Sequence, residues 1–163
     1  MCAPRTNLVM MIDTHTHLTD EPLALDLPAV LARARACGVT ACIVPGYDNE
    51  VGRAARALAQ QHAGVHVAIG VHPLFVGRAD VAALAQELAQ GGIVAIGETG
   101  LDYVDARADR AAQQQCFHAQ LDLALAHDLP VIIHCRQAHD DVLRVLRAVP
   151  RVRGVLHSCS CSH

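Results

Sequence analysis

Apolar and polar positions along the chain alternate between two kinds of segment. Short β-branched runs read as buried strands: Leu8 to Ile12, Thr40 to Val44, Val65 to Ile69, Ile93 to Ile96, Val131 to Ile133 and Val155 to Leu156. Between them lie longer stretches rich in Ala, Leu, Arg and Gln with helical spacing: Leu27 to Ala36, Glu50 to His62, Asp80 to Gln90, Ala111 to His127 and His139 to Val149. Turn pairs such as Cys37-Gly38, Pro45-Gly46, Gly91-Gly92 and Leu129-Pro130 separate them. The pattern is a β-α-β-α series, and strand–crossover–strand units of this kind run parallel and right-handed. The expectation is an α/β fold with a parallel sheet and outer helices. A doubly wound sheet and a (β/α) barrel both satisfy it. No G-x-G-x-x-G fingerprint and no G-x-x-x-x-G-K-[ST] loop occurs, which counts against a nucleotide-binding sheet.

The 163 residues read as one domain, 1–163, with no low-complexity linker and an atypical tail at 158–163. Hydrophobic residues at 52% and charged residues at 18% exclude disorder as the main state. No apolar run approaches the roughly 18 residues of a membrane span. The formal charge of -3 gives no bulk attraction to DNA or anionic lipid. Aromatics are only 2%, which speaks against a base-stacking platform of the single-strand-binding type. The seven cysteines are scattered without a C-x-x-C pair, as in a reduced, cytoplasmic protein. The N-terminus lacks the pattern of a signal peptide, and the structured pattern begins near Met11.

The polar residues fall at the C-terminal ends of the apolar runs, where parallel α/β folds build their sites. The first run leads into Asp13-Thr14-His15-Thr16-His17, the third into Gly70-Val71-His72-Pro73, the fourth into Gly97-Glu98, the fifth into His134 and the sixth into His157. Side chains at i and i+2 of a strand share a face, so His15 and His17 can reach one divalent ion. Glu98, placed after an apolar run, is costly to bury without cations around it. Lysine is absent, all 13 basic side chains being arginine. A carboxylated lysine therefore cannot bridge two metals here, and Glu98 is the candidate bridge. Such His/carboxylate ligation suits Zn, Mn or Fe, or a looser Mg site. Arg136 is a candidate for a substrate phosphate. Arg144, Arg147, Arg151 and Arg153 read as a solvated face rather than a DNA-facing stripe. Asp102 and Tyr103 read either as groups orienting metal ligands or as loop packing, and the terminal Cys159, Cys161 and His163 are a weak imitation of a metal knot.

Together these motifs carry a resemblance. Ile12-Asp13-Thr14-His15-Thr16-His17-Leu18, Gly70-Val71-His72-Pro73, Ile96-Gly97-Glu98-Thr99-Gly100-Leu101-Asp102-Tyr103, Leu129-Pro130-Val131-Ile132-Ile133-His134-Cys135-Arg136 and Gly154-Val155-Leu156-His157-Ser158 resemble, in order, motifs of the TatD family of metal-dependent deoxyribonucleases. The resemblance implies a TIM-type barrel of the amidohydrolase kind. It implies one or two divalent ions (Mg, Mn or Zn) and DNA as the substrate, cleaved as by a 3′ exonuclease. It assigns His15 and His17 to a first metal, Glu98 to the bridging and catalytic position, His134 and His157 to a second metal, and His72 to the substrate side of the site. Two departures stand out. Leu74 replaces a second histidine, and Ser158-Cys159-Ser160-Cys161-Ser162-His163 replaces the usual Cys-Phe-Ser-Gly. A later segment with a metal-binding, proton-accepting aspartate is not found. The expectations are an incomplete barrel of about six of eight strands, metal binding with impaired DNA hydrolysis, and self-association through open sheet edges. The alternatives are hydrolysis of a small ester, amide or lactone metabolite on the same scaffold, and a non-catalytic remnant.

Overall fold

A computed structural model describes residues 10–104 and 109–159. Six strands form one parallel sheet in sequence order: β1 (Met11–Asp13), β2 (Val39–Pro45), β3 (Val65–Ile69), β4 (Ile93–Asp102), β5 (Val131–Arg136) and β6 (Gly154–Leu156). Helices α1 (Leu27–Ala36), α2 (Asn49–Gln61), α3 (Val81–Ala89), α4 (Arg110–Ala126) and α5 (His139–Ala148) make the crossovers. The sheet is a curled half-barrel with helices on its outer side. It decides between the two architectures the sequence left open, because strand order follows chain order with no reversal.

Helices α2, α3 and α4 start where short acidic side chains satisfy otherwise unpaired backbone N–H groups. Asp48 accepts from Val51 N at 2.8 Å, Asp80 from Ala82 N at 2.8 Å and Asp109 from Ala111 N at 3.2 Å. Alternation along the strands then sorts side chains by face. Cys42, Val44, Val65, Val67, Ile69, Val131, Ile133 and Cys135 join Leu31, Ala55, Leu84, Phe117, Leu121 and Val142 of the helices in the main core. Ala68, Ala95 and Ile132, with Ile43, form a second cluster that contains no helix residue, on the concave face. Among the described residues no helix is long and apolar enough to cross a membrane.

Three expectations need adjustment. The first strand begins at Met11, while Leu8 and Val9 lie outside the described residues. His15 and His17 sit just past β1, although Thr16 N still bonds the Ile43 carbonyl at 3.1 Å and so continues its direction. The fourth strand runs six residues beyond Ile96, to Asp102, so Glu98 lies inside it rather than at its end. There the register slips: Ile96 pairs with Val131 but Thr99 with Ile133, leaving one extra residue on β4. Such a bulge re-aims a side chain. It depends on glycine. Gly97 has φ 156° and Gly100 φ 137°, and a Cβ at Gly100 would lie 2.0 Å from the His134 carbonyl oxygen.

Two predictions follow from this geometry. Gly100→Ala should destabilise the chain by about 2–4 kcal/mol, since backbone rather than a movable side chain blocks the methyl; an unchanged thermal midpoint would contradict it. The second concerns the edges. Each of β1 and β6 pairs on one side only among the described residues, and Met11, Ile12 and Val155 are exposed. The chain by itself is expected to self-associate, and a sharp monomer by light scattering would count against that.

Candidate metal centre

Glu98 is the centre of the site. Its bulge on β4 turns it to the concave face, where only 4% of it is exposed. His15 Nε2 lies 3.3 Å from Glu98 Oε2, His134 Nδ1 lies 2.9 Å from Oε1, and His72 Nε2 lies 3.9 Å from Oε1. His15 and His17 face one another, with their Nε2 atoms 3.1 Å apart. The i, i+2 spacing therefore does bring both imidazoles to one point. The donor atoms gather into two groups, each compact enough to surround one ion: His15, His17 and Glu98, and His72, Glu98 and His134. Glu98 is common to both.

His157 stands differently. Its ring stacks on His15 with centroids 3.4 Å apart and planes 7° from parallel, while His72 occupies the place beside Glu98 and His134. Asp102, 1% exposed, faces the other side of His134, with Oδ2 2.9 Å from its Nε2. Arg136 is more remote. Its side chain is largely exposed, its Nη1 is 3.8 Å from Asp102 Oδ2, and it lines a wider cavity of about 540 Å³ with His134, His157 and Ser158. Arg144 pairs with Asp141 and Arg153 with Asp128, both on the protein surface. Tyr103 donates to Asp141 at 2.6 Å, away from Glu98. Cys161 and His163 lie outside the described residues.

The electrostatics follow from this packing. Burial by itself would raise the Glu98 pKa. Hydrogen bonds to His134 and His15, with His72 nearby, outweigh it and hold the carboxyl well below the usual carboxylate range. Burial opposes charge on His134 as well, but Glu98 and Asp102 prevail and raise its pKa. With both ring nitrogens facing carboxylates, the imidazolium satisfies them together. His72 is pushed down to about 4, first by burial and then by His134, so it is neutral at ordinary pH. His157 is lowered by burial and by His15.

Several participants were not singled out from the sequence. Gln120 of α4 accepts from Val71 N at 2.7 Å and donates to Val71 O at 3.0 Å, beside His72. Gln113, two turns earlier, makes the same pair of bonds with the Asp102 backbone at 2.8 and 2.9 Å. Both are fully buried. Their seven-residue separation on one helix face was the available signal. Tyr47 and Phe75, on the loops after β2 and β3, line a cavity of about 350 Å³ with His17, His72 and Glu98.

The profile of the TatD family, described as TatD related DNase, matches residues 12–163. The chain belongs to the TatD family. YabD of Bacillus subtilis, named an uncharacterized metal-dependent hydrolase, is 35% identical over 153 residues, covering 91% of this chain and 60% of that protein. A Pantoea protein named 3′-5′ ssDNA/RNA exonuclease TatD is 36% identical over 154 residues, covering 91% and 59%. The crystal structure of YjjV, a TatD homologue from Escherichia coli K12, superimposes with a TM-score of 0.87 at 36% identity, covering 93% of this chain and 61% of that one. The chain thus spans about 60% of the length of the TatD relatives it matches.

The donor set of this TatD chain fits a divalent ion. Two imidazole nitrogens and a carboxylate oxygen converge with charge and lone pairs that a cation satisfies. The Nδ1 atoms of His15 and His17 are buried without a hydrogen-bond partner among the described residues, leaving the Nε2 side as the polar side of each ring. Because Glu98 belongs to both groups and His72 to one, Glu98→Gln should lower Mn²⁺ affinity on the order of 100-fold, and His72→Ala less. Calorimetric titration measures both; equal affinity in wild type and Glu98→Gln would refute a shared carboxylate.

Proposed function

We propose that this chain is a metal-dependent phosphodiesterase acting on nucleic acid, with single-stranded DNA as substrate. The observation that carries the reading is the convergence of imidazoles from different strand ends on one buried, ionised carboxylate in a TatD chain. The name of the Pantoea relative, an exonuclease of single-stranded DNA and RNA, supports the substrate class.

In this reading His15 and His17 would hold one ion, His134 would hold a second, and Glu98 would be available to both. His72, neutral and beside Glu98 and His134, supplies a further nitrogen there, and His157 sits on the same rim, stacked on His15. A bound divalent ion would supply Lewis acidity, acidifying water and offsetting phosphate charge. The protein's own groups do the rest. Asp102 accepts a hydrogen bond from His134 Nε2, which fixes the ring and leaves Nδ1 directed at the centre. Arg136, which lines the wider cavity, would receive a phosphate of the strand.

The test is direct. Purified chain with Mg²⁺ or Mn²⁺ is expected to shorten 3′-ended single-stranded DNA, with turnover lost on chelation and cut at least ~100-fold in Glu98→Gln. Intact DNA in wild type alongside turnover of a small carboxylic ester or lactone would replace this reading with a metabolite hydrolase.

A further inference from the structure

The chain has only four aromatic residues, two Tyr and two Phe. Phe117 is fully buried in the core, and Tyr103 packs against that core under the Arg110 guanidinium, 4.3 Å from its ring centroid. The other two are together at the site. Tyr47 and Phe75 have ring centroids 5.1 Å apart with planes tilted by 37°. Neither belongs to the hydrophobic core clusters or to the residues packed against them. They are half-buried and face the cavity that His17, His72, His134 and Glu98 also line. Large apolar groups kept out of the core and turned toward a pocket that also holds titratable side chains are the kind of placement that marks a ligand surface.

The pair is tied to the metal-competent groups at both ends. Tyr47 lies 5.9 Å from the His17 ring and Phe75 lies 6.2 Å from the His72 ring, so the two aromatics bridge the outer histidines of the two groups. The backbone enforces this. His72 N donates to the Tyr47 carbonyl at 3.0 Å, and Phe75 N donates to the His72 carbonyl at 2.8 Å. The Tyr47 hydroxyl donates to Asp20 Oδ1 at 3.2 Å, which fixes the ring. The cavity in front of them, about 350 Å³, reaches Glu98 and is of ligand-pocket size.

We infer that Tyr47 and Phe75 form a stacking platform for one nucleobase of the substrate, the base attached to the phosphate held at the Glu98 centre. The inference rests on the phosphodiesterase reading and deepens it. Aromatic faces accept any base, so the platform confers selectivity for nucleotides over baseless phosphoesters without selecting sequence.

The experiment uses the full chain with Mg²⁺ and two probes. One is 2-aminopurine 2′-deoxyriboside 5′-monophosphate, whose fluorescence is quenched when its base stacks on an aromatic ring. The other is deoxyribose 5-phosphate, which keeps the phosphate and has no base. Wild type should bind the nucleotide with quenching. Phe75→Leu and Tyr47→Leu should each weaken nucleotide binding roughly tenfold and lose quenching, while calorimetry shows deoxyribose 5-phosphate binding unchanged. Phe75→Trp should restore the nucleotide affinity that Phe75→Leu loses. Equal nucleotide affinity and quenching in the leucine variants would overturn the platform and leave the phosphodiesterase reading intact. Parallel loss of both probes in the leucine variants would show that the rings only support the loops, and would also overturn it. Failure of wild type to bind either probe would overturn the phosphodiesterase reading and the platform with it.

Discussion

A buried negative charge is the constraint around which this molecule is arranged. Glu98 is ionised and almost fully removed from water. An isolated carboxylate in that position would take up a proton, because desolvation favours the neutral form. It stays charged because three imidazoles approach it, His15, His134 and His72, each from a different strand end. None of these residues is near another in sequence, except within the His15–His17 pair. The parallel sheet is what brings them together, since it places successive strand ends on one rim. The β4 bulge is what turns Glu98 inward, and the bulge in turn needs residues without side chains at Gly97 and Gly100.

The concave face shows how the apolar floor passes into the polar rim. Ile43, Ala68, Ala95 and Ile132 fill its lower layer. Two residues past Ile132 the same face of β5 presents His134, and Glu98 projects opposite it. Small alanines at two of the four floor positions keep the layer thin beneath the charged groups. On the other side of the sheet, α4 does more than cover apolar surface. Gln113 and Gln120 each bond both backbone groups of a strand-end residue, Asp102 and Val71. A glutamine amide carries both donor and acceptor, so it can bond the N–H and the C=O of one residue together, and each glutamine completes hydrogen bonding where the ladder runs out. One helix thereby fixes the positions of both His72 and Asp102.

Much of this was legible in the chain. The alternation of β-branched runs with helical spacing located the six strands and five α-helices of the described residues, mostly within a residue or two. The placement of His15, His17, Glu98, His134 and His157 just after apolar runs pointed to one rim, although Glu98 and His134 lie inside their strands. What the chain did not disclose has identifiable physical causes. The run Ile93 to Ile96 ends in Gly-Glu-Thr-Gly, which reads as a loop, yet tertiary pairing with β5 carries the strand on to Asp102. The glutamines of α4 look like ordinary helix formers, and only burial shows them to be clamps. The aromatic count was an average over the chain. It carried no information on where four rings would lie, and two of them lie against the site histidines. The stacking of His157 on His15 and the approach of His72 to Glu98 depend on ring orientation, which no motif encodes.

His134 lies between two carboxylates, and Glu98 lies between two groups of imidazoles, so each ionisation changes the field at the next residue. In so little water the couplings are strong, and the members act as one network rather than as separate ligands. His15 is part of this chain in two ways: it shares Glu98 with His134, and its ring carries His157. A cation beside His134 would take over the balancing of Glu98 from the His134 imidazolium. A carboxylate common to both groups then transmits that change to the other. The sharing of Glu98 thus makes the two positions interdependent, and residues that act as such a unit give non-additive effects when removed one at a time.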